Sequence, residues 1–146
     1  MTDEATVYGY IKKNADSDPQ TNYLHHSVNR QIIKALPSMD YSALLNQEFF
    51  SVPFIQNYDE TTTASIIHFA KSYRGVEYEW SSWIAEFEAL LQKMYWHSVV
   101  VHLETELSGM HTFTWHSDAE IHAPNQSPLD IRCEWQHELG ITPRYA

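Results

Sequence analysis

Residues 80–116 read WSSWIAEFEALLQKMYWHSVVVHLETELSGMHTFTWH, and the hydrophobic period changes inside them. Trp80, Trp83, Ile84, Phe87, Leu90, Leu91, Met94 and Tyr95 recur at steps of three and four, which lines them along one side of an α-helix. Fully burying one large apolar side chain stabilises a fold by roughly 1.5–3 kcal/mol. A stripe of this length therefore predicts the helix that anchors the core, and core packing explains its aromatics better than a cofactor box does. Ser81 is the expected N-cap, with Val76 to Trp80 as an alternative helical start. From Ser98 the period is two: Val99, Val101 and Leu103 point one way, and His102, Glu104 and Glu106 the other. Beyond Gly109, His111, Phe113 and Trp115 alternate with Thr112, Thr114 and His116, and the two runs predict an antiparallel hairpin. A two-residue loop at Ser108-Gly109 sets Leu103 opposite Thr114 and mixes the faces. A three-residue loop, Leu107-Ser108-Gly109 with Gly109 left-handed, pairs Leu103 with Phe113 and Val101 with Trp115, so apolar meets apolar.

On the N-terminal side, Thr6 to Ile11 is short and rich in Val and Tyr, which predicts a strand. A polar connection, Asn14 to Gln20, leads into a helix capped by Thr21 or Asn22. Leu24, Val28, Ile32 and Leu36 are its expected apolar side, and Pro37 stops it. Residues 37–63 are irregular: Phe49, Phe50, Val52, Phe54 and Ile55 should pack on the core, yet Pro53 prevents a central strand. Ala64 to Tyr73, with Ile66, Ile67 and Phe69, reads as a strand buried on both faces near its middle. Ser117 to Asp130, with Pro124 and Pro128, is expected to be an exposed loop, and Ile131 to Trp135 a last strand. The order β, α, irregular segment, β, α, β, β, β predicts an α+β fold, a mainly antiparallel sheet with two principal helices packed on one face.

The whole chain, residues 1–146, is expected to form one domain, with 43% apolar residues to fill its core. Nine Lys plus Arg stand against 19 Asp plus Glu, a formal charge of −10. Nucleic acid and anionic membrane surfaces draw affinity from clustered cations, so neither is an expected partner, whereas a basic protein would be steered toward this chain. A single cysteine, Cys133, forms no internal disulfide and fits a reducing compartment. Met1 to Ala5 is acidic where a secretory leader needs a basic start, and no run approaches the roughly 18–20 apolar residues of a spanning helix, so a cytoplasmic location is expected.

Nine histidines raise the question of a metal. The best set is the polar hairpin face, His102, Glu104 and Glu106, with His116 diagonal to His102 in the register above; imidazole and carboxylate on adjacent strands suit zinc or manganese. Alternation alone also puts polar side chains on a solvated face, and no metal or other cofactor is expected. Cys133 and His137 are four apart, but a nucleophile–base pair needs contact that spacing does not supply, and a buried structural cysteine is the expected reading. No phosphate loop, G-x-S-x-G or H-E-x-x-H occurs. Glu77 with Glu79, and Glu104 with Glu106, are i, i+2 pairs that add to the negative field when exposed. His25, His26 and His68 receive no role.

Ser65 to Trp80 (SIIHFAKSYRGVEYEW), together with Trp83, Phe87, Leu90, Leu91, Tyr95-Trp96, Val101 to Glu106 and Gly109 to Trp115, resembles small bacterial immunity proteins encoded beside polymorphic or contact-dependent-inhibition toxins. The resemblance covers roughly residues 49–115, including Phe50-Ser51-Val52-Pro53. It implies a non-enzymatic activity: stoichiometric binding of a cognate toxin domain, often a nuclease with a basic cleft. Expected exposure and charge, not the resemblance, single out the contact residues: Glu77, Tyr78 and Glu79 before the long helix, and His102, Glu104 and Glu106 on the hairpin, then Asp118 and Glu120 in the loop that follows. The alternative is a small metal-assisted hydrolase using the His/Glu hairpin face. Oligomeric state is not legible.

Overall fold

Val7 and Ile11 alternate with Thr6, Tyr8 and Tyr10, and this period of two makes Glu4–Lys13 a strand, β1. In the computed structural model, which describes residues 4–40, 42–55, 64–117, 120–125 and 131–136, β1 sits inside a six-stranded sheet of order β2-β3-β1-β4-β5-β6. It pairs antiparallel with β3 (Ser65–Arg74) and with β4 (Ser98–Thr105). Beyond β4 lie β5 (Gly109–His116) and β6 (Ile131–Gln136), and the two-residue β2 (Phe50–Ser51) pairs with Phe69 and His68 of β3. One face of the sheet supplies Val7, Ile11, Ile67, Phe69, Val99, Val101, Leu103, Phe113 and Trp115 to a single core cluster. Ile33 of α1 (Pro19–Lys34), Trp83, Phe87, Leu90 and Leu91 of α2 (Trp80–Leu91), and Leu45, Phe49, Val76, Met94 and Trp96 from the connections join it. Both helices thus cover the same face, the α+β arrangement expected from the sequence. No helix among the described residues is long and apolar enough to cross a membrane.

The α2 stripe forms as its period requires, and its rings make a continuous stack. Trp80 lies on Trp83 at 4.7 Å between centroids, and Trp83 on Phe87 at 4.9 Å. Phe87 then meets Trp115 of β5 at 5.5 Å, and Trp80 meets Phe113 at 5.3 Å. Trp83 Nε1 donates to Tyr73 Oη at 3.1 Å, and that hydroxyl donates to the Leu44 carbonyl at 2.7 Å. Burial pushes the Tyr73 phenol up to about 12. Ser81 does not cap the helix: α2 starts at Trp80, straight out of a 3-10 turn (Val76–Glu79) that Gly75 opens in the left-handed region, at φ 72°.

The structure departs from the sequence expectations at several further elements. The hairpin loop has three residues, but they are Glu106-Leu107-Ser108, with Thr105 paired to Gly109. Val101 therefore faces Phe113 and Val99 faces Trp115, two places from the expected register. The local cause is a side-chain closure: Thr105 Oγ1 accepts the Ser108 amide at 2.9 Å and contacts Ser108 Oγ at 2.7 Å, while Gly109 takes the left-handed conformation at φ 79°. The shift is even, so both faces keep their residues.

Helix α1 turns a different side inward. Asp18, not Thr21 or Asn22, is its N-cap, and Asn22, His26, Asn29 and Ile33 are its buried residues, while Leu24 is 58% exposed. Polar bonds compensate: Asn29 Nδ2 donates to the Tyr95 carbonyl at 2.9 Å, and the Tyr95 amide donates to Asn29 Oδ1 at 2.8 Å. Strand β3 is buried on one face only, through Ile67 and Phe69, because His68 and Ala70 lie on the side no helix covers. Ser117 to Asp130 is not wholly exposed: His122 is buried, bridges Trp96 through both backbone bonds, stacks on its ring at 4.5 Å and meets the Met94 carbonyl through Nδ1 at 2.9 Å. Cys133 is exposed, since β6 is an edge strand beyond the Phe113 and Trp115 positions that α2 covers.

Stability should fall in acid in two stages. Burial holds His25, His26, His97, His102 and His111 below their ordinary value of 6.5. Amide and hydroxyl donors hold Asp40, at Ser42, and Glu48, at Met39 and Ser38, below the usual carboxylate range. A group with a depressed folded-state pKa stabilises the fold above its unfolded value and loses that contribution as pH falls. The thermal midpoint is expected to drop first below pH 6.5, as these histidines titrate, and again below pH 4.5 for Glu48 and below 3.8 for Asp40. A midpoint constant from pH 7 to 4 contradicts this, and scanning calorimetry in matched-salt buffers reads it.

Candidate functional site

The face of the sheet opposite the helices is built by the outward residues of four strands, β3, β1, β4 and β5. Register sets Tyr10 between His68 and Val100, and Val100 against Thr114. The next row sets Tyr8 between Ala70 and His102, and His102 against Thr112; a third sets Thr6 between Ser72 and Glu104, with Glu104 against Met110. His68, Ala70, Ser72 and Glu104 are exposed, and Thr6, Tyr8, Tyr10, Val100, His102 and Thr112 are half-buried among their cross-strand neighbours. Among the described residues both helices lie on the other side.

At its centre the Tyr8 and His102 rings approach to 4.9 Å. His102 Nδ1 is 2.9 Å from Thr112 Oγ1, and Tyr8 Oη donates to Met110 Sδ at 3.5 Å. Burial, and secondarily the Glu104 carboxylate, raise the Tyr8 phenol above its usual value; burial lowers His102 while Glu104 opposes it. The ring pair therefore stays neutral near pH 7, an aromatic patch beside an exposed carboxylate.

Of the residues proposed from sequence, His102 and Glu104 share this face. Glu106 is exposed in the hairpin loop. The β3–α2 turn reaches the same end of the sheet, because Arg74 and Thr105, the last residues of β3 and β4, flank the start of β1. Tyr78 is 71% exposed there, Glu79 is exposed, and Glu77 is half-buried with Oε1 shielded and without a hydrogen-bond partner. Glu77 and Glu79 occupy a 3-10 turn, so their i, i+2 spacing does not place them on one strand face. Glu120 is exposed but lies at the opposite end, near Lys13 and His97, and so stands apart from the others. Asp118 lies outside the described residues.

The His/Glu set does not assemble as expected. His102 stands opposite Thr112, and His116 opposite Ser98, four positions away along β5. Among the described residues no three His, Cys, Asp or Glu side chains converge as a metal would require. No family model, curated protein or solved structure matches the chain. Its functional reading therefore rests on its own surface.

Sequence reasoning missed the contribution of β1 and β3 to that surface. Thr6, Tyr8, Tyr10 and Lys12 alternate with Val7, Gly9 and Ile11, a period-two signal as clear as that in β4. His68 had no local partner to mark it; only the pairing with Tyr10 places it on the face.

Proposed function

We propose that this chain is a stoichiometric protein inhibitor of the immunity-protein kind, acting in the cytoplasm on a basic toxin domain without turning over a substrate. The observation that carries the reading is a helix-free sheet face centred on Tyr8, Tyr10 and His102, with carboxylates gathered toward one end. Four strands of about eight residues present about 500 Å² of planar area, rather more than half of the roughly 800 Å² per partner of a standard interface. Tyrosine is favoured in such surfaces because it buries a large ring, keeps a polar tip and loses little rotamer freedom. Glu104 on the face, and Glu79 and Glu106 at its end, supply a negative rim that speeds encounter with a cationic partner. The net charge of −10 extends that field.

Two results test the function. The gene beside this one is expected to encode the toxin-bearing end of a larger secreted protein, and the two purified products are expected to form a 1:1 complex. Association should slow as salt rises, since encounter between exposed charges is screened over about 8–10 Å at physiological ionic strength. A neighbour with no toxin domain, or a purified toxin domain that fails to bind, overturns the reading.

A further inference from the structure

Where β1 ends and β3 begins, the sheet and α1 enclose a cavity of about 230 Å³. Its walls divide into two chemistries. Lys13, Asn22, His26 and Asn29 form a polar side, and Pro53, Phe54, Ile55 and Ile66 an apolar one. The four polar residues are each more than nine-tenths buried. No Asp or Glu among the described residues lines this cavity, although the Asp16 carboxylate, outside it, acts on Lys13.

The two asparagines are already committed. Asn22 Oδ1 accepts from Lys13 Nζ and from the Asp16 amide, both at 2.7 Å, and Asn29 is held by the backbone of Tyr95. Lys13 Nζ also donates to the Asn14 carbonyl at 3.0 Å, which leaves one of its three protons without a partner among the described residues. His26 is 4% exposed; neither ring nitrogen meets a partner with good hydrogen-bond geometry, although the Pro53 carbonyl lies close enough to favour its protonated form. Arg30 stands one turn further along α1, with its guanidinium 5.3 Å from the centre of the Phe54 ring. A buried cation and an imidazole without a well-aligned partner on one wall, facing apolar side chains on the other, are complementary to an anion that carries an apolar body.

We propose that this cavity is a binding site for a small carboxylate with an apolar tail, its charged end against Lys13 and His26 and its tail against Pro53 and Phe54. Burial lowers the Lys13 and His26 pKa values, and a bound carboxylate would reverse that tendency by favouring both charged forms. The site is separate from the open sheet face and does not depend on the partner proposed for that face.

Benzoate is the probe, titrated into the isotope-labelled full chain and followed by amide and histidine-ring NMR. Saturation with Kd of about 1 mM or tighter is expected, with shifts centred on Lys13, Asn22, His26 and Ser65. Benzamide, which lacks the charge, and inorganic phosphate, which lacks the tail, should each bind at least about tenfold more weakly. Lys13→Met should weaken benzoate by at least about tenfold, while Lys93→Met, at an exposed lysine beyond α2, should leave it unchanged. If Lys13→Met does not fold, Ser65→Trp, which fills the cavity from the position paired with Lys13, carries the same expectation. Shifts that fail to saturate, spread over surface lysines, or arise equally with benzamide or phosphate overturn the proposal and leave a cavity occupied by water only.

Discussion

Trp83→Ala is expected to destabilise the fold by about 3–5 kcal/mol, the range for deleting a buried large aromatic. Trp83 is 0% exposed and touches four other rings: Trp80 and Phe87 in the α2 stack, and, from the 3-10 turn that precedes β2, Phe49 at 6.2 Å; Tyr73 of β3 receives its indole hydrogen bond. Removing it opens a void under the middle of α2 and strips the Tyr73 hydroxyl of its donor. For a domain of this size the thermal midpoint should fall by about 10–15 °C. Trp83→Phe separates the two contributions: it keeps most of the ring volume and loses the indole N–H, so its cost should be well below that of alanine. Equal losses for the two variants would place the stabilisation in the hydrogen bond and contradict a packing account.

Gly9→Ala is expected to cost about 3 kcal/mol or more, at the upper end of overpacking effects, although it adds one methyl group. That carbon would stand 1.9 Å from the Val100 carbonyl oxygen and 3.1 Å from Phe69 Cζ. The first contact is with backbone, which does not rotate away, so β1 and β4 must separate where both are hydrogen-bonded to each other. Glycine is required here by close approach, unlike Gly75 and Gly109, where left-handed backbone requires it. Chemical denaturation of the two proteins reads the difference. A Gly9→Ala chain as stable as the parent contradicts the β1–β4 spacing described above.

The elements legible in the sequence were those whose period was apolar and uninterrupted. Trp80 to Leu91 announced α2, and Val99 to Leu103 with Phe113 to Trp115 announced β4 and β5, because one face of each meets the core along its whole length. Helix α1 misled for the opposite reason. Its buried face holds Asn22, His26 and Asn29; the two asparagines are satisfied by Lys13 and by the Tyr95 backbone, partners far off in the chain that a hydrophobic period does not register. The hairpin register depended on the Thr105–Ser108 contact, a local polar bond that outweighed the simplest apolar pairing while keeping its parity. His122 was read as loop because its burial comes from Trp96, 26 residues earlier. Of the candidate surface, His102 and Glu104 were visible as the polar half of an alternating strand, whereas the tyrosines of β1 gain their meaning only once β1 lies beside β4.

The central claim is that the helix-free sheet face contacts a basic protein. Titration calorimetry with the toxin domain proposed to be encoded beside this gene tests it most directly, using the parent chain, Tyr10→Ala and Glu104→Lys. Both substitutions lie outside the core, and circular dichroism is expected to show folds and midpoints close to the parent's. A 1:1 complex is predicted in which Tyr10→Ala, which removes an aromatic anchor, and Glu104→Lys, which reverses a face charge, each raise Kd by at least about tenfold. Parent-like affinity for both variants, with the complex otherwise intact, would contradict the account and move the contact elsewhere on the molecule.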